Sequence, residues 1–201
     1  MNKLSKKAVR NIFITTCGVF ALIFLISGIF FYLVTGPVST AKWGVDRITA
    51  TSELITSLDS KIDELKEDIE TASSGDEFVL EITQEEATSK LDQLARQGNI
   101  SVETDHPQVY FSPGMICASA KIHLAICMET AVQIEIKAQD GKADFTIRRL
   151  EFGRLALPKS LINNVMTAVE HELGKRWDEL AVTVEAIDIE PGVMTVTMVK
   201  K

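Results

Sequence analysis

The octapeptide Glu170–Trp177, EHELGKRW, comes within one residue of a zinc-peptidase helix. Such helices read H-E-x-x-H, where two histidines one turn apart hold the metal and the glutamate activates its water. Lys175 stands where the second histidine belongs, and a protonated amine is not a metal ligand. The apolar residues around it, Leu161, Ile162, Val165, Met166, Val169, Leu173, Trp177 and Leu180, cover one arc at about 100° per residue. His171 falls nearly opposite the centre of that arc, so the zinc-like spelling reads as the solvent face of a helix. His106 and His123 have no ligand spacing either, and no metal is expected.

Cys117 and His123 offer a nucleophile and a base that face the same way on a β-patterned segment. Along one strand they lie roughly 20 Å apart, too far for proton transfer. The carboxylate pairs Glu85–Glu86 and Glu64–Glu67 belong to helices whose exposed sides need charge. There is no G-x-S-x-G elbow, no phosphate-cradling glycine loop and no C-x-x-C. No catalytic residue and no cofactor is expected. Of the three cysteines, Cys17 lies in an apolar run as filler. Cys117 and Cys127 sit on what reads as one uninterrupted strand, beyond disulfide reach, and are expected as free thiols.

The elements that must position these residues begin with an anchor. From Ile12 to Val34 the chain carries no charge, and at ~1.5 Å per residue a helix of that length matches a bilayer core. Lys3, Lys6, Lys7 and Arg10 precede it without an acid, which puts the amino terminus in the cytoplasm and the rest outside. A cleaved signal peptide, cut near Ser39 and Ala41, competes with this reading. Its apolar core is ordinarily only ~7–15 residues, so an uncleaved, single-pass signal anchor is the expectation. The net charge is −7; the first 35 residues carry four bases and no acid, so the exported remainder carries −11. That balance argues against nucleic acid as a partner and against simple adhesion to anionic lipid.

Four segments follow: a basic tail over 1–11, the anchor over 12–35, a linker and amphipathic stalk over 36–76, and an extracytoplasmic domain over 77–201. In the stalk Ile48, Ile55, Ile62 and Ile69 share one heptad position and Leu58 and Leu65 the other. Two arrangements satisfy that stripe: a homodimeric coiled coil, or a helix laid on the chain's own domain. Next come a short strand, FVLEI, and a helix that Thr83 and Glu86 open as a capping box and Gly98 stops. Its thin apolar side, Ala87, Leu91 and Leu94, suits a sheet edge.

From Ile100 to Phe152 the period changes to two. Ile116, Ala118, Ala120 and Ile122 face one way and Ser119, Lys121 and His123 the other, with a hairpin signal at Asp140–Gly141. Pro158 opens the long amphipathic helix, and a final strand pair turns at Pro191–Gly192. The fold class is α+β, a long curved antiparallel sheet packed on a long helix. By pattern alone a filled core satisfies this arrangement. A gap between sheet and helix would instead be an apolar tunnel lined by Ile122, Leu124, Ile126, Val132, Ile134, Ile136, Phe145, Ile147, Leu155, Leu157, Val165 and Val169.

The succession EITQEEATSKLDQLARQG, VYFSPG, the Asp140–Gly141 hairpin, LEFGRLALPKSLINNVM and PGVMTVTM resembles the LmeA-like phospholipid-binding family and the YpmS-like membrane-anchored proteins. The likeness is one of pattern over about residues 77–201. It implies a small tubular lipid-binding domain, in which a curved sheet wraps a long helix and holds phospholipid between them without catalysis. The alternative is a structural or protein-interaction module of the cell envelope, with a solid core, dimerised through its stalk.

Overall fold

A computed structural model describes residues 23–38, 47–98, 103–123, 126–160, 162–163 and 181–201. Helix α1 occupies residues 23–34 of them and leaves Ile23, Phe24, Leu25, Ile26, Ile29, Phe30, Phe31 and Tyr32 exposed. Among the described residues no helix is long and apolar enough to cross a membrane; the uncharged run starts at Ile12, and its first part lies outside them.

Thr51 caps α2 (Ser52–Thr71) by accepting the Leu54 N–H, and Thr83 and Glu86 form the full capping box of α3 (Gln84–Arg96). The eight strands described are β1 (Glu77–Thr83), β2 (Glu103–Ser112), β3 (Met115–His123), β4 (Cys127–Gln139), β5 (Lys142–Phe152), β6 (Leu155–Ala156), β7 (Val182–Glu190) and β8 (Val193–Lys200). They form two antiparallel sheets, β2-β3-β4-β5-β6 and β1-β8-β7. The closing strand pair therefore belongs with β1, and the architecture is α+β.

Turn chemistry sets the registers. Asp140 and Gly141 both have positive φ, and Gln139 opposes Lys142, as a two-residue hairpin with a left-handed pair requires. At the β7–β8 turn Pro191 precedes Gly192 at φ +90°, with Glu190 opposite Val193.

The core lies where the two sheets and α3 meet. Val109, Phe111, Ile136 and Ile189 are buried there, with Ala118, Ile134, Phe145, Ile187, Ala87 and Leu91 packed around them. Helix α3 lies along the edge strand β2. Thr88, wholly buried, accepts the Val109 N–H (2.9 Å) and donates to the Val109 carbonyl (3.1 Å). One hydroxyl thus satisfies two backbone groups that an open sheet edge would expose.

Helix α2 lies on the chain's own fold. Leu58 is buried, and Leu65 and Ile69 pack on the Val182, Val184 and Met198 cluster. Ile48, Ile55 and Ile62 are half-buried. Asp59 pairs with Lys90, and Lys61 with Glu86.

One expectation is corrected. Cys117 and Cys127 do not share an unbroken strand: β3 ends at His123, β4 starts at Cys127, and these two residues oppose each other across a hairpin. Ile126 consequently sits in the connection and not on the strand face. Because an even separation keeps the side-chain parity, the hairpin leaves the period-two pattern undisturbed and invisible. Both thiols are free, Cys117 buried and Cys127 exposed. The backbone is helical at 159, 160, 162 and 163, with Ile162 buried. The remainder of the expected helix, including Val165, Val169 and His171, and also Leu124, lie outside the described residues.

Candidate functional site

Cross-strand register puts Ile122, Val132, Ile134, Ile136, Phe145 and Ile147 on one face of the five-stranded sheet, with Leu155 beside Phe152 of that face. The face divides along its length. Ile134, Ile136 and Phe145 belong to the packed core under the second sheet and α3. Toward the β3–β4 connection, Ile122 pairs with Met128, Thr130 with Phe152 and Val132 with Leu150, all half-buried. Leu157 closes this end through its N–H to the Leu150 carbonyl (2.8 Å). In its midst the Thr130 hydroxyl is buried without a hydrogen-bond partner among the described residues.

Helix α1 docks at that same end. The Arg154 N–H donates to the Leu33 carbonyl (2.7 Å), and the Arg154 guanidinium stacks over the Tyr32 ring, 4.3 Å from its centroid. Gly153, at φ +57°, lies so close to the Leu33 and Val34 carbonyls that a methyl group would overlap both. Val34 and Val38 are buried, and the Val38 N–H reaches the Glu129 carboxylate (3.0 Å). The GRLALP stretch thus joins the end of the helix to the rim of the sheet.

The opposite face is polar. Glu135, drawn on first by Lys137 and then by Arg148, titrates below the usual carboxylate range. At the rim the fold assembles a trio that strand spacing alone conceals: Asp105 Oδ2 lies 2.8 Å and Cys127 Sγ 3.8 Å from His123 Nε2. Asp105 comes from β2 and Cys127 from across the hairpin. Both approach the same ring nitrogen, whereas a nucleophile–base–acid relay needs them on opposite nitrogens. No cluster of three metal-ligating side chains is positioned for a metal among the described residues. Cys117, the other sequence candidate, is sequestered: burial raises its thiol pKa, against hydrogen bonds from Ser112 and Gln133 that lower it.

A groove of about 320 Å³ also lies on this polar side, walled by Arg47, His106, Gln108, Tyr110, Ser119, Lys121 and Glu129. Gln108 fixes its border to the preceding chain by accepting the Ile48 N–H (2.8 Å) and donating to the Ile48 carbonyl (3.0 Å).

Comparison with family models, with curated proteins and with solved structures finds no match to this chain. What the site does must be argued from its own geometry.

Proposed function

We propose that this chain is a single-pass, membrane-tethered extracytoplasmic domain. It holds a phospholipid or another apolar ligand against the inner face of its five-stranded sheet, without catalysis. The observation that carries this reading is the meeting of two apolar surfaces at one rim. The exposed apolar helix α1 ends on Gly153–Arg154, where Ile122, Met128, Phe152 and Leu155 bring the inner face to the end of the sheet. A helix held in a bilayer would place that rim at the membrane surface, where an acyl chain has the shortest path from one apolar environment to the other. The Thr130 hydroxyl, without a partner among the described residues, supports the same reading, since an ester carbonyl would accept its hydrogen bond.

Lipid mass spectrometry of the full chain, with fluorescent phospholipid binding to two variants, tests the proposal. Val132→Phe fills space between the core and the rim, so lipid binding falls while the melting temperature holds. Ala118→Phe, packed against Val109 and Phe111, overfills a closed core and destabilises by ~1–3 kcal/mol. If both variants melt lower and the parent chain neither carries nor binds lipid, the lipid reading fails and a solid-core interaction module replaces it.

A further inference from the structure

The polar groove is unusual for its charge. The exported part of the chain is strongly acidic, yet Arg47, Lys121 and the His106 imidazole converge here against one carboxylate, Glu129. That carboxylate already accepts the Val38 N–H. The other acid near Lys121, Asp105, opposes it across β2–β3 but gives its Oδ2 to His123. No carboxylate forms an ion pair with Arg47 or Lys121 among the described residues, whereas Lys61, Lys90 and Arg148 each have one.

The local backbone serves the same convergence. The register of β2 shifts between Asp105 and Gln108, and His106 adopts φ +51°; a bulge of this kind re-aims a side chain. Arg47 is held by its neighbour Ile48, whose two backbone groups are clamped by Gln108. The Tyr110 hydroxyl and Ser119 add polar groups to the wall. A second hollow of about 260 Å³ shares Arg47, His106 and Gln108, and the acid on its wall, Asp92, is paired with Arg96.

We infer that this groove binds a phosphate group. Glu129 opposes Lys121 across β3–β4 and offsets one positive charge, which leaves the Arg47 guanidinium in excess in the concavity, and an excess cation attracts an anion. A guanidinium fork from the segment before α2, an imidazole from β2 and an ammonium from β3 suit a tetrahedral oxyanion better than a planar carboxylate. The volume lies in the range of small-molecule sites, roughly 300–1,000 Å³. A lipid headgroup and a free phosphate ester present the same chemistry. The site lies on the sheet face opposite the apolar one, so it stands or falls independently of acyl-chain binding.

Calorimetry of the full chain in a neutral detergent, at fixed ionic strength, tests it with inorganic phosphate and with water-soluble dihexanoyl phosphatidic acid. Saturable binding of phosphate is expected, weakened about tenfold by Arg47→Gln and again by Lys121→Gln, each removing one charge-assisted contact. Lys66→Gln, which removes an equal charge from the exposed side of α2, leaves it unchanged. Two variants from different segments guard against a folding defect in either. If the short lipid binds more tightly than phosphate and competes with it, the source is a headgroup; equal affinity assigns a free phosphate. Absence of saturable binding of both ligands, or equal loss in Lys66→Gln, overturns the inference.

Discussion

The side-chain amide of Gln108 pairs with the backbone of Ile48 in both directions, with Oε1 on its N–H at 2.8 Å and Nε2 on its carbonyl at 3.0 Å. A glutamine here takes the place of a β-strand neighbour and pins the segment before α2 to the sheet. Because Gln108 is itself buried, Gln108→Ala leaves polar groups unpaired and should destabilise by ~1–3 kcal/mol. Gln108→Glu keeps the acceptor but sets a buried carboxylate oxygen against the Ile48 and Pro107 carbonyls, and should destabilise at least as much. Hydrogen exchange at the Ile48 amide, with chemical denaturation, measures both; an unchanged Ile48 amide in Gln108→Ala would show that the clamp does not hold the segment.

Gly153 is where the first helix meets the sheet. Gly153→Ala meets a left-handed backbone penalty of ~1–2 kcal/mol and, in addition, overlap with the Leu33 and Val34 carbonyls. Gly192→Ala also sits at positive φ, +90°, but with open space around the added methyl, so it carries a backbone penalty without the overlap. The melting temperature should fall further in Gly153→Ala, and the Arg154 amide should exchange faster. Equal effects would mean that the helix end yields without loss.

Glu86 is a nearly buried carboxylate that Lys61, Ser57 and the Thr83 N–H all approach. Burial alone would raise its pKa, but the Lys61 and Thr83 hydrogen bonds together with that of Ser57 outweigh it, and the net shift is downward from the ordinary 4.5. A depressed folded-state value stabilises the fold above the unfolded pKa, and the benefit disappears as pH falls through the folded one. Unfolding free energy should therefore drop below about pH 4.5. Glu86→Gln should be less stable at neutral pH by ~1–3 kcal/mol and should flatten that acid limb. Urea titrations at a series of pH values decide it; parallel pH curves for the two proteins would remove Glu86 from the account.

The two described cysteines should separate cleanly. In a Cys17→Ser background, a maleimide should modify Cys127 rapidly and Cys117 only on unfolding, because Cys127 is exposed while Cys117 is 2% exposed and its thiol pKa is raised chiefly by burial. Peptide mass spectrometry locates the label. Early labelling of Cys117 would show that the β2–β4 face opens in the native state.

Local chemistry was legible without coordinates wherever a residue type forces its own backbone. The Thr83–Glu86 capping box, the Asp140–Gly141 hairpin and the Pro191–Gly192 turn follow from side chains that reach only a few residues along the chain. So does the inner face of β3 and β4, because a two-residue period survives in any sheet. Three things required the tertiary structure. The β3–β4 hairpin preserves side-chain parity and carries no glycine or proline at residues 124–126, so nothing in the pattern marks it. The Asp105–His123–Cys127 cluster depends on that hairpin and on a strand partner. Finally, the heptad-like stripe of α2 states only that an apolar surface must be covered. Whether a second copy or the chain's own sheet covers it depends on distant partners, here Val182, Val184 and Met198, and hydrophobic burial has no direction that a local pattern could encode.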